Sequence, residues 1–487
     1  MKMKKLICTV IILLMFTPLV SCGNNNSNNI KKDETTASVD TTTEELKDNV
    51  PVMTFGGETI NIIENDRTSQ TLIKGQIYST GENGDLINDA VYRRNLLIED
   101  RFNIEISVTL SASTGSTAQR AILANDDIYD VINEHISGIR GLLSNNMLIN
   151  LQTLPYVDFT EPWWDQRATS DLSIANKLFI NISASDLTAT NHTWLVAFNK
   201  VLMENNAIEF PYQLVRDGKW TLDRFYSMIT DINPRDLNGD GVMNEHDFWG
   251  LCNEYYNTGA MFLGSGERLF RKDKDDIPYV SMNTERAVIV LNKVLDIVLD
   301  KNITLTAQHY SKFSNPFYEV LYPAFMEDRA LFYMVGMHAI PDFRNMTSDF
   351  GIVPIPKFDD QQDGYHNTMT IYGVMVQAVP VTNNKFELTG AFLEVLACES
   401  YKTVVPAYYE VTLKNKILRD EESIEMLDII SKTRIFDLGY IYNWGNSLGL
   451  YETLTSKNSR DFASEYAKIE KRIISEMEKD IKNIVGE

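Results

Sequence analysis

Residues 59–63 read TINII, 86–101 read LINDAVYRRNLLIEDR, 104–108 read IEISV, 118–124 read AQRAILA and 129–132 read YDVI. The first, third and fifth of these are short runs rich in β-branched residues, the signature of strands. In the second, apolar residues recur at helical spacing, and the fourth is short and helix-favouring. The order is therefore βαβαβ. Such alternation predicts an α/β fold, a largely parallel sheet with helices on both faces and ligand sites outside the carboxyl ends of the strands. Further on, residues 286–299 and 462–484 carry apolar residues at helical spacing and predict surface-packed helices.

Upstream of this unit the composition changes twice. Lys2, Lys4 and Lys5 precede a short apolar stretch, 6–20, too short to span a membrane as a helix. Residues 1–21 therefore read as an export signal. The tetrapeptide LVSC (19–22) resembles the lipobox of bacterial lipoproteins, which implies acylation of Cys22 and a lipid anchor on the outer side of the cell membrane. Residues 22–50 are rich in Asn, Ser, Thr, Lys and Asp and cannot bury enough surface to fold, so they predict a disordered tether.

The roughly 435 residues that follow exceed the size at which one core keeps growing, which predicts two lobes. The formal charge is −22, and loss of residues 1–21, with three Lys and no acid, makes the remainder more negative still. No basic stripe offsets that field, so nucleic acid is excluded as a partner. Of four Cys only Cys252 and Cys398 lie in the body, which gives no disulfide framework and leaves either one bridge or, the favoured reading, two small buried apolar side chains. The six His form no paired metal motif, and nucleophile-elbow, Walker and dinucleotide fingerprints are missing from the sequence.

Four stretches carry a family resemblance. DRFNIEI (100–106), LVAFNK (195–200), GKWTLDRF (218–225) and FGIVPIP (350–356) are similar, in order, to segments of the family 1 extracellular solute-binding proteins, the group that includes maltodextrin binders. The resemblance implies a two-lobed, type II periplasmic-binding-protein-like fold, each lobe a mostly parallel sheet flanked by helices, joined by hinge crossings. By that analogy the first lobe comprises 52–185 plus 356–401, and the second 196–353 plus 402–487. It implies a monomeric, non-enzymatic ABC-importer subunit that captures a mono- or oligosaccharide in the interlobe cleft and hands it to membrane permeases.

Sugar recognition needs aromatic faces and planar polar groups. The candidates are Asp66 and Arg67 after the first strand, and Asn133 and Glu134 after the third. Near the first crossing lie His192 and Trp194; in the second lobe Glu254, Tyr255, Tyr256 and His338; in a late loop Tyr442 and Trp444. Trp444, Tyr255 and Asp66 lead, and the pair Trp163 and Trp164 reads as packing. Three other readings stand beside this one: a secreted carbohydrate-active hydrolase, which would set two carboxylates across a sugar cleft, a binder of peptides or other small solutes, and an adhesin-like surface lipoprotein without an interlobe cleft.

The sharpest local motif is DLNGDGVMNEHD (236–247), which matches D-x-[DN]-x-[DN]-G with an acid at the twelfth position. It predicts a structural Ca²⁺ held by Asp236, Asn238, Asp240, the Val242 carbonyl, Asn244 and Asp247. Asp at the closing position in place of Glu resembles dockerin loops, and Pro234 argues against a long entering helix.

Overall fold

The structure, a computed structural model, describes residues 46–66, 77–414, 418 and 420–486. The expected signal, Cys22, most of the tether and Arg67 lie outside the described residues.

The opening unit forms as its pattern dictates. β1 (Glu58–Asn65) buries Ile60, Ile62 and Ile63 completely. α1 (Leu86–Phe102) is capped by Asp85, whose carboxylate accepts the Asn88 N–H at 2.8 Å, and ends at Asn103 in the left-handed region. β2 (Ile104–Ser111) and α2 (Thr114–Leu123) follow, then β3 (Val131–His135) and α3 (Ile136–Ser144). β1 pairs in parallel with both β2 and β3. β3 starts two residues later than expected and runs through His135, so Asn133 and Glu134 lie inside the strand. The cause is long-range: the late strand β11 (Met375–Ala378) pairs antiparallel with β3, matching Met375 to His135 and Ala378 to Ile132.

The second sheet has the order β10-β4-β9-β5-β8. Its strands are β4 (Trp194–Asn199), β5 (Trp249–Asn253), β8 (Thr304–Thr306), β9 (Ala330–Gly336) and β10 (Phe350–Val353). β4 alone runs against its neighbours β9 and β10, while β5 is parallel to β8 and β9. A small hairpin, β6 (Phe270–Lys272) with β7 (Pro278–Val280), stands apart.

The chain thus leaves the first sheet after β3, builds the second, and returns for β11. The helix Phe386–Lys414 then covers the first sheet, packing on α1, and the chain passes on to Glu421–Lys432 beside β10. Trp163 and Trp164, 1% and 3% exposed, fasten this helix: both indoles donate to the Glu394 carboxylate at 2.9 Å. Cys252 and Cys398 are free and buried. No described helix is long and apolar enough to cross a membrane.

Candidate functional site

The carboxyl ends of β5 and β9 in the second sheet carry four of the expected residues, Glu254, Tyr255, Tyr256 and His338. β5 ends at Asn253 and delivers Glu254, Tyr255 and Tyr256 into the start of the helix Tyr255–Gly264. Glu254 is 8% exposed, forms no ion pair among the described residues, and has the Gln308 amide as its hydrogen-bonding neighbour. Burial pushes its pKa up to about 7. The Gln308 Oε1 is fixed in turn by the Tyr255 N–H at 3.1 Å.

β9 ends at Gly336 and delivers His338; β4, running the other way, begins beside His192. The two imidazoles stack with centroids 5.0 Å apart, and Phe317 continues the column at 6.4 Å from His338. Glycine makes the room. A Cβ on Gly373 would sit 2.0 Å from the His192 ring, and one on Gly336 2.5 Å from His338 Nδ1. Burial pulls the His338 pKa down to about 4, so this imidazole is neutral at physiological pH.

The other wall is built by residues that no motif marked. Tyr372, 54% exposed on the crossing between β10 and β11, meets Tyr256 edge to face at 6.0 Å. From α3, which follows β3 of the first sheet, Arg140 donates Nε to the Ile441 carbonyl at 2.8 Å and a terminal nitrogen to the Tyr440 carbonyl at 2.6 Å. Arg140, Tyr255, Tyr372, Asn443 and Glu452 line a cavity of about 350 Å³. The cavity joins a guanidinium from α3, carboxylate and amide groups from the C-terminal helices, and phenol rings. That set can bond hydroxyls and stack on C–H faces.

Five expectations fail on burial. Trp444, 1% exposed, donates its indole N–H to Asp480 at 2.8 Å and stacks on Tyr442 at 4.7 Å. The C-terminal helix Phe462–Val485 covers it, with Ile473 against Gly445, so neither Trp444 nor the 8% exposed Tyr442 offers a face. Trp194, 5% exposed, is a core strand residue opposite Gly336. Glu134, 2% exposed, accepts from the Asn65 side chain at 3.0 Å and from the Gly115 and His135 N–H groups at 2.8 and 2.7 Å, tying β1, α2 and β3 together. Asn133, fully buried, donates to Glu64 at 3.2 Å. Asp66 is exposed at the end of β1, where its N–H meets the Ser111 carbonyl at 3.0 Å. Asp66, Tyr255 and Trp444 therefore do not converge.

The 236–247 loop is curled. Asp236 accepts from the Gly239 and Gly241 N–H groups, each at 2.7 Å, and Asp247 from the Leu237 and Asn244 N–H groups at 2.9 and 2.7 Å. Gly239 and Gly241 sit at φ of 74° and 82°, where a side chain would be strained.

No protein-family model and no curated protein sequence matches the chain. Solved structures do. An ABC substrate-binding protein from Listeria monocytogenes in complex with cycloalternan is 12% identical with a TM-score of 0.50, covering 88% of this chain and 99% of that one. A cyclo/maltodextrin-binding protein complexed with maltotetraose is 13% identical with a TM-score of 0.54, covering 87% and 97%. RafE from Streptococcus pneumoniae, in its apo form, is 13% identical with a TM-score of 0.53, covering 87% and 99%. The chain has the two-lobed α/β fold of these substrate-binding proteins.

Proposed function

We propose that this protein is the solute-binding subunit of an ABC importer and that it captures an oligosaccharide between its two sheets. The observation that carries the reading is the cavity of about 350 Å³ in which Arg140 of the first lobe faces Tyr255 and Glu452 of the second, with Tyr372 on the crossing between them. A ligand touching both lobes favours the closed arrangement, a shape that membrane permeases can read without any covalent step. Titration calorimetry with maltotetraose and cycloalternan tests it. Saturable binding without release of new reducing ends is expected, and a ligand at 100 times its Kd stabilises by about 2.7 kcal/mol. Binding of peptides but no saccharide, or steady hydrolysis of the saccharide bound, overturns it.

Three further parts of the reading have their own tests. The protein is anchored through an acylated Cys22, so labelled palmitate enters the wild type and not Cys22→Ala. It acts as a monomer, which light scattering checks. The 236–247 loop holds Ca²⁺ in a structural role: each carboxylate keeps lone pairs beyond those bonded to backbone N–H groups, and oxygen donors at this spacing suit that hard ion. EGTA then lowers the melting temperature of the wild type and leaves Asp240→Asn unmoved.

A further inference from the structure

The chain carries 67 acidic and 45 basic residues, yet Glu267-Arg268-Leu269-Phe270-Arg271-Lys272 sets three cations within five positions. The β6–β7 hairpin holds them along one side of a second cavity of about 370 Å³, whose lining includes Asp171, Arg268, Arg271, Tyr279 and Phe436. It shares no lining residue with the cavity that holds Arg140 and Tyr372.

The three cations are not equally satisfied. Lys272 pairs with Asp276 at 2.6 Å and donates to the Ser173 carbonyl at 3.0 Å, which fixes the hairpin to the segment carrying Asp171. Arg271 lies 3.6 Å from Glu267 and donates to the Gly266 carbonyl at 3.1 Å. Arg268 donates one hydrogen bond, to the Glu267 carbonyl at 2.9 Å, and forms no ion pair among the described residues.

The reason lies in what the nearest acids do. Asp437, buried, turns its two oxygens to the Leu269 and Gly439 N–H groups at 2.9 and 2.7 Å. Asp171 accepts from the Phe436 N–H at 3.0 Å, and burial raises its pKa. A partly buried guanidinium with most of its donors unassigned is thus left facing an open volume, flanked by phenyl and phenol rings. A planar fork of N–H donors matches the paired oxygens of a carboxylate or phosphate.

We propose that this cavity is a second binding site, for a small solute bearing a carboxylate or phosphate group, with Arg268 and Arg271 holding the oxyanion and Tyr279 and Phe436 flanking the remainder. The test is titration of the mature protein with inorganic phosphate, glucuronate and glucose, at constant ionic strength so that screening does not vary. Saturable binding of phosphate, glucuronate or both, with none for glucose, is expected; which of the two binds identifies the anion. Arg268→Gln should weaken it at least tenfold, Arg268→Lys and Arg271→Gln by less, and Tyr372→Ala not at all. Absence of saturable anion binding overturns the proposal. So does an affinity unchanged in both Arg268→Lys and Arg271→Gln, which decides the matter even if Arg268→Gln fails to fold.

Discussion

Replacing Glu254 by Gln should make the protein more stable at pH 8 than the wild type. In the unfolded chain this carboxyl titrates at its ordinary 4.5, and in the folded protein burial moves it to about 7. A raised acid pKa means the folded state holds its proton more tightly. Its stabilising contribution is complete below pH 4.5 and is lost as pH rises to 7. One pKa unit is worth about 1.4 kcal/mol, so the wild type should lose roughly 2 to 3 kcal/mol between pH 5 and pH 8 from this group alone. Gln has the same shape and no charge, and its oxygen can still accept from Gln308. Urea unfolding of both proteins at pH 5 and pH 8 measures the difference. A wild-type to Glu254→Gln gap that does not change with pH would show that the carboxyl is solvated or paired, and the account of its burial would be wrong.

The same group predicts a proton release on binding. A saccharide hydroxyl donated to Glu254 favours its charged form, so calorimetry at pH 6 in two buffers of different ionisation enthalpy should give different apparent heats. Tyr372→Ala, at an exposed ring, should leave stability within about 0.5 kcal/mol and weaken saccharide binding about tenfold, as read by chemical unfolding and titration side by side. Trp444→Ala removes a buried indole and its bond to Asp480, and should cost about 3 to 5 kcal/mol while any protein that folds binds saccharide as before. Gly373→Ala drives a methyl into the His192 ring and should cost about 1 to 3 kcal/mol, with loss of saccharide affinity.

The opening βαβαβ unit was legible because its signals are local: apolar spacing for α1, β-branched runs for β1 and β2, Asp85 as a cap. β3 was misplaced at both ends because its extent is set by β11, whose partnership is invisible to any window around residue 131. Trp444 and Tyr442 illustrate the same limit. Their residue type suits a sugar platform, but the final helix lies over them, and only tertiary packing decides between a platform and a core. Tyr372, Arg140 and Glu452 converge from three distant parts of the chain with no motif to mark them. Glu254 and Tyr255 lie where the sequence places them, just past a strand's carboxyl end, because that end is a topological place as well as a sequence position.

β3 and β11 are separated by about 240 residues, yet they are neighbours in one four-stranded sheet. During synthesis the earlier strand therefore waits with a bare edge while every strand of the second sheet emerges. Contacts this remote in sequence are slow to form, and an unpaired strand edge invites the wrong partner. Completion of the first sheet thus waits for residue 378, and truncation anywhere before it leaves that sheet one strand short however well the rest has folded.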